Sequence, residues 1–256
     1  MKLRIGYFYK DLLNLYGDNG NVEILVSRCK KRNIDVDVYE VGLETKLNKF
    51  FMSGIDLVFM GGGPDSSQKE MYKDLTTSKA SFLRDYIISG GVSLFVCGSY
   101  QLLGHYYKSA DGSTLQGLGI FDLSTEHPGN SAARCVGNVV CTMSSTITGD
   151  PSFPHESGFG GSLVGFENHG GRTNLGTKSS EFAVIRRGFG NNGKDGTEGI
   201  HFMNSIGTYL HGPVLSKNPH LADFLIAKSL ELPASGLAKL DDGLILNAHN
   251  IALDLN

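Results

Sequence analysis

Short apolar segments alternate with longer polar segments through the first half of the chain. The apolar segments, which predict β-strands because they are continuously apolar or alternate with a period of two, are 3–8, 36–41, 55–60 and 91–96. The segments with helical periodicity are 21–31, 68–89 and 99–107. Strands that alternate with helices are typical of α/β proteins, in which helices cover both faces of a mostly parallel sheet.

The second half of the chain has a different pattern. Its short strand-like segments, separated by turns rich in Gly, Asn and Ser, are 136–143, 163–166, 182–185 and 199–203. This pattern predicts antiparallel strands added to the central sheet. An amphipathic segment, 219–230, predicts a closing helix. We expect one domain over 1–256, with 232–256 as a C-terminal tail.

Composition and charge exclude several classes of protein. The chain has 256 residues, of which 40% are hydrophobic and 19% charged, as in ordinary globular proteins. A net charge of -3, with acidic and basic residues mixed, indicates no binding to nucleic acid or to an anionic membrane. The apolar runs are far shorter than the roughly 20 residues of a membrane span, and the first residues lack the features of a signal peptide. We therefore expect a cytoplasmic protein.

The cysteines and histidines do not predict a disulfide framework or a metal site. None of the four Cys forms a C-x-x-C pair, so reduced thiols are expected. The eight His are scattered, without the spacing of metal ligands. No metal is therefore predicted.

Cys97 is the first candidate for chemistry. It lies between a predicted strand and a predicted helix, as the nucleophile of a nucleophile elbow does, and a helix N-terminus favours the reactive thiolate. The backbone N–H of Gly98 would form half of an oxyanion hole, and that of Gly62 or Gly63 the other half. The alternative is that Cys97 is a small buried hydrophobic residue.

A nucleophilic thiol needs a base that also protonates the leaving group, and histidine titrates in the required range. His211 ends an apolar, strand-like run and precedes a loop. His169, in the segment FENHGGRT, is the main competitor. The spacing of residues does not choose between them.

Three separated motifs carry a resemblance to a known family. They are 97–104 (CGSYQLLG), 166–173 (FENHGGRT) and 207–213 (GTYLHGP), supported by 16–21 (YGDNGN), 61–63 (GGG) and 188–192 (GFGNN). The chain resembles the cobyric-acid-synthase-like branch of class I glutamine amidotransferases, and within it the free-standing glutaminase subunits of lipid II isoglutaminyl synthase. The resemblance spans about residues 3–230 and implies a flavodoxin-like α/β fold.

This resemblance implies roles for particular residues. Cys97 would be the nucleophile, His211 the catalytic histidine and Arg134 the group that binds the carboxylate of L-glutamine, for which a guanidinium is suited. Two positions depart from the usual pattern: Ser99 stands where the family usually has Gly, and Pro213 stands where many class I enzymes have Glu. The site would then be a Cys-His dyad, or an acid from elsewhere would orient His211. The candidates for that acid are Asp18 and Glu167, which the sequence does not rank.

The resemblance also implies a division of labour between two proteins. This chain would need no cofactor, and ATP would bind a Mur-ligase-like synthetase subunit of the MurT type, which uses the ammonia to amidate D-glutamate in lipid II during peptidoglycan synthesis. One alternative is an amidotransferase for a cobyrinate-like or other small carboxylate. Another, from a different class, is a non-catalytic redox or binding protein of the flavodoxin-like kind, which leaves the His211 motif unexplained.

Overall fold

The computed structural model describes residues 1–47, 51 and 54–255. A six-stranded sheet forms its centre, in the order β13-β14-β4-β3-β1-β2. Five of its strands run parallel, and β13 pairs antiparallel with β14 at one edge. The strands of this sheet are β1 (Lys2–Phe8), β2 (Asp35–Val41), β3 (Leu57–Met60), β4 (Val92–Val96), β13 (Ile200–Phe202) and β14 (Ser205–Thr208).

Two smaller sheets are built from the chain between β4 and β14. One is a mixed sheet in the order β10-β7-β5-β6, and the other is an antiparallel sheet in the order β12-β11-β8-β9. Their strands are β5 (Tyr106–Lys108), β6 (Thr114–Gln116), β7 (Leu123–Glu126), β8 (Cys135–Met143), β9 (Ser162–His169), β10 (Arg172–Leu175), β11 (Ala183–Arg187) and β12 (Thr197–Glu198).

The α-helices of the described chain surround these sheets. They are α1 (Asn19–Lys30), α2 (Asp65–Asp74), α3 (Ala80–Ile88), α4 (Gly98–Leu102), α5 (Ser145–Thr148), α6 (Pro219–Ser229) and α7 (Gly243–Asp254). Every residue of β3 and β4 is buried, as the continuously apolar runs predict for strands covered on both faces. In the described part of the chain, no helix is long and apolar enough to cross a membrane.

The predicted α/β fold is confirmed, and the four predicted strands of the first half are present within two residues of their predicted bounds. The strands of the second half are mostly antiparallel, as expected, but only β13 of those predicted joins the central sheet. The other predicted strands correspond to β8, β9 and β11. These strands hydrogen-bond to one another and so form a separate antiparallel sheet.

Three predicted helical or irregular segments differ from the structure. The helix predicted over 68–89 begins at Asp65 and is divided into α2 and α3 by a π-helical segment, Leu75–Lys79. The helix predicted over 99–107 ends at Leu102, and Tyr106–Lys108 pair instead as β5. The predicted tail, 232–256, contains α7.

A buried charge cluster joins α1 to the C-terminal part of the chain. The guanidinium of Arg28 donates hydrogen bonds to both oxygens of Asp223 and both oxygens of Asp242, at 2.7–2.8 Å. Arg32 adds a third hydrogen bond to Asp223. Nearby, His249 of α7 contacts Ser162 Oγ at 2.8 Å and the Lys217 carbonyl at 2.7 Å. These contacts attach the last helix to the body of the protein.

We expect Arg28→Ala to lower the free energy of unfolding by about 3 kcal/mol, because it leaves two largely buried carboxylates without their main partner. This loss is at the low end of the range for breaking a buried ion pair, because Arg32 still pairs with Asp223. Urea unfolding at pH 7 measures the loss. Lys2→Ala, which breaks an exposed pair with Asp37, serves as the control and should cost less than about 1 kcal/mol. Equal losses in the two variants would contradict a structural role for the buried cluster.

Candidate active site

Cys97 lies in a strained turn between β4 and α4. Its φ of 54° and ψ of -110° are unfavourable for a residue with a side chain, at a cost of about 1–3 kcal/mol, as in a nucleophile elbow. The Cys97 N–H donates to the carbonyl of Thr208 at 2.8 Å, which ties the turn to the end of β14. The side chain is 7% exposed. The turn therefore presents the thiol at the edge of the sheet where the parallel strands end.

Ser99, the departure from the family pattern, stabilises this turn. Its buried hydroxyl lies 2.8 Å from the carbonyl oxygen of Met60 and 3.0 Å from that of Val96. These carbonyls belong to the last residues of β3 and β4. A serine hydroxyl can donate to such unpaired carbonyls, which a glycine cannot do. The substitution thus keeps the tight turn and adds a link between the two strands.

His211 reaches Cys97 because β14 pairs parallel with β4. Thr208, the last residue of β14, lies opposite Val96, so the residues after both strands leave the sheet at the same edge. The backbone of His211 is then held by Phe166 of β9, through hydrogen bonds of 2.8 and 3.2 Å. A Cβ at Gly62 would lie 2.9 Å from Cβ of Cys97 and 3.0 Å from Cε1 of His211. Both side chains therefore flank the same glycine.

Asp18 is the acid that orients His211. Its Oδ1 lies 3.0 Å from Nδ1 of His211, and its Oδ2 accepts a 2.8 Å hydrogen bond from the N–H of Gly62. Both side chains of the pair are fully buried. The other candidate, Glu167, accepts hydrogen bonds from the backbone N–H groups of Phe189 and Gly190 instead. The structure thus distinguishes two acids that the sequence leaves equal.

The electrostatic surroundings favour a proton on His211. Burial opposes the charged imidazolium, but the neighbouring Asp18 and Cys97 outweigh burial and raise the pKa of His211 to about 10. Within the described residues, the buried Nε2 atom makes no hydrogen bond of good geometry. A histidine that holds a proton beside a thiol is equipped to protonate a leaving group.

The segment 16–21, noted for its resemblance to the family, surrounds this pair. The ring of Tyr16 packs edge-on against the His211 ring, with centroids 4.9 Å apart. A Cβ at Gly20 would lie 2.3 Å from Cγ of Pro213, so only glycine allows this approach. Asn21 accepts a 3.0 Å hydrogen bond from the N–H of Leu215. The segment therefore packs against the chain on the C-terminal side of His211.

Two backbone N–H groups remain available for an oxyanion. The N–H of Gly62 is already bonded to Asp18, so the predicted role of Gly62 as an oxyanion donor does not match the geometry. The N–H groups of Gly63 and Gly98 make no hydrogen bond within the described residues. The Gly62 carbonyl accepts from Leu15 at 2.9 Å. Because C=O and N–H point in opposite directions in a trans peptide, this bond directs the Gly63 N–H away from Leu15.

Arg134 is an exposed residue whose orientation is set by Asn168. Its Nε donates to Asn168 Oδ1 at 2.9 Å and its Nη2 to the Asn168 carbonyl at 3.0 Å. The Asn168 side chain in turn donates to the hydroxyl of Tyr16 at 2.7 Å. Arg134 is thereby connected to the residue that covers His211.

His169, the competing histidine, lies in a separate buried network. Its ring stacks on Tyr209, with centroids 3.7 Å apart, and its Nδ1 lies 2.8 Å from the Gly171 carbonyl. The Tyr209 hydroxyl accepts a hydrogen bond from Gln101 and lies 2.6 Å from Thr173 Oγ1. These contacts give His169 a packing role and leave His211 beside Cys97.

Glu198 is a buried acid that the sequence patterns did not indicate. Its Oε1 accepts hydrogen bonds from Thr208 Oγ1 at 2.5 Å and from the N–H of Tyr209 at 2.8 Å, while its Oε2 has no partner among the described residues. Burial raises the pKa of Glu198 to about 7, although these hydrogen bonds lower it. The Glu198 carboxyl thus fixes Thr208, the last residue of β14. The carbonyl of Thr208 accepts the hydrogen bond from the Cys97 N–H, and the chain continues from there to His211.

Comparison with known proteins places this geometry in a family. Residues 4–219 match the model of the CobB/CobQ-like glutamine amidotransferase domain. The chain belongs to this family of glutamine amidotransferases. Its predicted activity as a glutamine amidotransferase is thus confirmed, and the alternative of a non-catalytic flavodoxin-like protein is not supported.

Two relatives of the amidotransferase are similar over most of its length. It is 42% identical over 232 residues to the lipid II isoglutaminyl synthase subunit GatD of Staphylococcus aureus (strain N315), covering 90% of this chain and 85% of the relative. It is 36% identical to the GatD subunit of Streptococcus pneumoniae, covering 90% and 81%. A probable cobyric acid synthase of Methanothermobacter thermautotrophicus is 34% identical over 46% of this chain, which is 22% of the synthase.

Solved structures confirm the fold of the amidotransferase. A chain of PurLQS from Thermotoga maritima superposes with a TM-score of 0.58 at 13% identity, covering 90% of this chain and 99% of that chain. The glutaminase domain of a Trypanosoma brucei CTPS with bound acivicin gives a TM-score of 0.55 at 13% identity, covering 90% and 94%. At such identities these likenesses concern the fold alone.

We expect Asp18→Asn to lower the pKa of His211 by about 1–3 units, because the variant removes the adjacent negative charge. NMR titration of the His211 ring signals measures this shift without a catalytic assay. Asp11→Asn serves as the control. Asp11 lies in the same N-terminal part of the chain, and within the described residues it makes no ion pair. An unchanged His211 pKa in Asp18→Asn would contradict the assignment of Asp18 as the orienting acid.

Glu198 should also make stability depend on pH. Because its pKa in the folded protein lies above the unfolded value of 4.5, the folded state binds the proton more tightly, and stability falls as pH rises from about 4.5 to 7. Glu198→Gln removes this cost of up to about 3 kcal/mol. The melting temperature of Glu198→Gln should therefore exceed that of wild type by more at pH 8 than at pH 5. Glu156→Gln, at an exposed site, should show no such difference.

Proposed function

We propose that this amidotransferase is the glutaminase subunit of a lipid II isoglutaminyl synthase, and that its partner is a Mur-ligase-like synthetase of the MurT type. The observation that carries the proposal is the similarity to two GatD subunits over 90% of the chain. The buried Cys97, His211 and Asp18 supply the chemistry. The ammonia would amidate the α-carboxylate of D-glutamate in lipid II.

The reaction begins with attack on L-glutamine. The thiolate of Cys97 forms a bond to the side-chain amide carbon, and the carbonyl oxygen becomes an oxyanion that accepts hydrogen bonds from the Gly98 and Gly63 N–H groups. The proton on His211 passes to the nitrogen as the C–N bond breaks, which releases ammonia and leaves a thioester. His211 then takes a proton from water, the hydroxide displaces the sulfur, and glutamate departs.

Arg134 holds the α-carboxylate of glutamine in this proposal. Its guanidinium is exposed, and Asn168 occupies its Nε and Nη2 on one side, so Nη1 stays available for a carboxylate oxygen. Every step uses side chains and backbone groups of this chain. The proposal therefore needs no cofactor here, and ATP would bind the partner subunit and activate the acceptor carboxylate in the cytoplasm.

The second candidate function is an amidotransferase for a cobyrinate-like or other small carboxylate. It would use the same groups on Cys97 and His211 and would differ only in the partner and acceptor. The family match and the partial similarity to probable cobyric acid synthases favour it. That similarity covers only about half of this chain, whereas the similarity to GatD subunits covers 90%. The first proposal is therefore preferred.

The test is to purify the chain with its native partner and to supply glutamine, ATP and lipid II. Wild type should amidate lipid II, and Cys97→Ala should lose at least about 10³-fold in rate because no nucleophile remains. Ammonium chloride should restore amidation by the Cys97→Ala complex, since the synthetase reaction needs only ammonia. Product mass, one unit lower for each carboxylate converted to an amide, measures the outcome.

The controls separate the parts of the proposal. Cys141→Ala, at a buried thiol on β8 away from the elbow, should keep glutamine-dependent amidation. Amidation by the Cys97→Ala complex on glutamine alone would overturn the role of Cys97. Glutamine hydrolysis without amidation of lipid II, together with amidation of a cobyrinate, would favour the second candidate.

A further inference from the structure

Asp65 contacts Tyr107, whose ring lies beside the same glycine turn as Arg134. A Cβ at Gly171 would lie 3.6 Å from Cε2 of Tyr107, and a Cβ at Gly170 would lie 3.3 Å from Nη1 of Arg134. The hydroxyl of Tyr107 lies 3.4 and 3.5 Å from the two carboxylate oxygens of Asp65. Burial raises the pKa of this hydroxyl, the charges of Asp65 and Cys97 raise it further, and the charge of Arg134 lowers it. Tyr107 therefore lies within electrostatic range of all three groups.

His127 lies beside Arg134 at this turn. A Cβ at Gly170 would lie 2.4 Å from Nε2 of His127 and 3.3 Å from Nη1 of Arg134, so these two side chains meet above Gly170. Burial and the neighbouring Arg134 and Arg172 lower the pKa of His127, whereas Asp65 raises it. The contacts at Gly170 and Gly171 place Arg134, His127 and Tyr107 on one rim, and Tyr107 contacts Asp65.

Asp65 carries a negative charge that no cation neutralises. It is exposed, and within the described residues it makes no salt bridge, while its contact with Tyr107 is at the upper limit of a hydrogen bond. It follows Pro64 and the glycine loop that flanks Cys97, and it is the first residue of α2. An acid at a helix N-terminus is commonly stabilising.

The substrate of the proposed function has the matching pattern of charge. Glutamine bears a carboxylate and an ammonium on one carbon, and its reacting amide lies at the other end of a short chain. With the carboxylate on Arg134, the ammonium needs a nearby anion. Asp18 is unsuitable because both of its oxygens are occupied by His211 and Gly62. Asp65 has oxygens free to accept from an ammonium.

We infer that Asp65 binds the α-ammonium group of glutamine and, together with Arg134, selects a free α-amino acid over other primary amides. This inference rests on the proposed function of the site. Asp65 acts in substrate binding and specificity, and takes no part in proton transfer. The hydroxyl of Tyr107 steadies its carboxylate from the buried side.

The experiment compares two amides in the complex of the full chain with its synthetase partner. Glutaramate, the monoamide of glutaric acid, is glutamine without the α-amino group. Asp65→Asn should lower kcat/KM for glutamine by about 10- to 100-fold, mainly through KM, because a charge-assisted hydrogen bond is lost. For glutaramate, kcat/KM should change less than about 3-fold, which also shows that the variant is folded.

A matched control removes a charge from the same helix away from the site. Glu70→Gln, at an exposed position of α2, should leave both substrates within about 2-fold of wild type. Equal losses of Asp65→Asn on glutamine and glutaramate, or no loss on glutamine, would overturn the inference and leave the proposed function intact. Failure of the wild-type complex to hydrolyse glutamine would overturn both.

Discussion

The buried hydrogen bond between His211 and Asp18 is the interaction on which the site depends. It joins residues 193 positions apart, and both side chains are fully buried. A buried carboxylate is costly unless its oxygens are bonded, and here the second oxygen accepts the N–H of Gly62. One acid thus sets both the direction of the imidazole ring and the path of the glycine loop beside Cys97. Pro213 stands where many class I enzymes have Glu, and Asp18, near the start of the chain, takes the place of that acid.

The surrounding fold maintains a strained backbone at Cys97. A positive φ at a residue with a side chain persists only where neighbouring contacts are strong enough to impose it. Those contacts come from Thr208 and Ser99, which link the turn to the ends of β14, β3 and β4. Glu198 accepts a hydrogen bond from the Thr208 hydroxyl and so stabilises this end of β14. These buried polar groups therefore fix the position of the Cys97 sulfur, and their hydrogen bonds limit the free-energy cost of burying them.

The exposed position of Arg134 and the rigid position of the reacting groups follow from the order of the elements. The reacting groups follow parallel strands of the central sheet, where the backbone is rigid and fully paired. Arg134 and His127 lie in the connection between β7 and β8, where a side chain is free to meet solvent. Rigid positioning suits bond-making steps, which tolerate little displacement, and an exposed rim suits capture of a charged amino acid.

The sequence by itself determined the four strands of the first half and the candidate nucleophile, because hydrophobic periodicity and a Cys-Gly turn are local properties. It indicated Cys97 at a strand end, and resemblance added His211 and Arg134. It did not rank Asp18 over Glu167, place the N–H of Gly62, or reveal Glu198 and Asp65. Those features depend on contacts between residues far apart in the chain, and only the tertiary structure brings such residues together. The separate antiparallel sheet and the helix near the C-terminus were decided in the same way, by pairing and packing partners that local patterns do not specify.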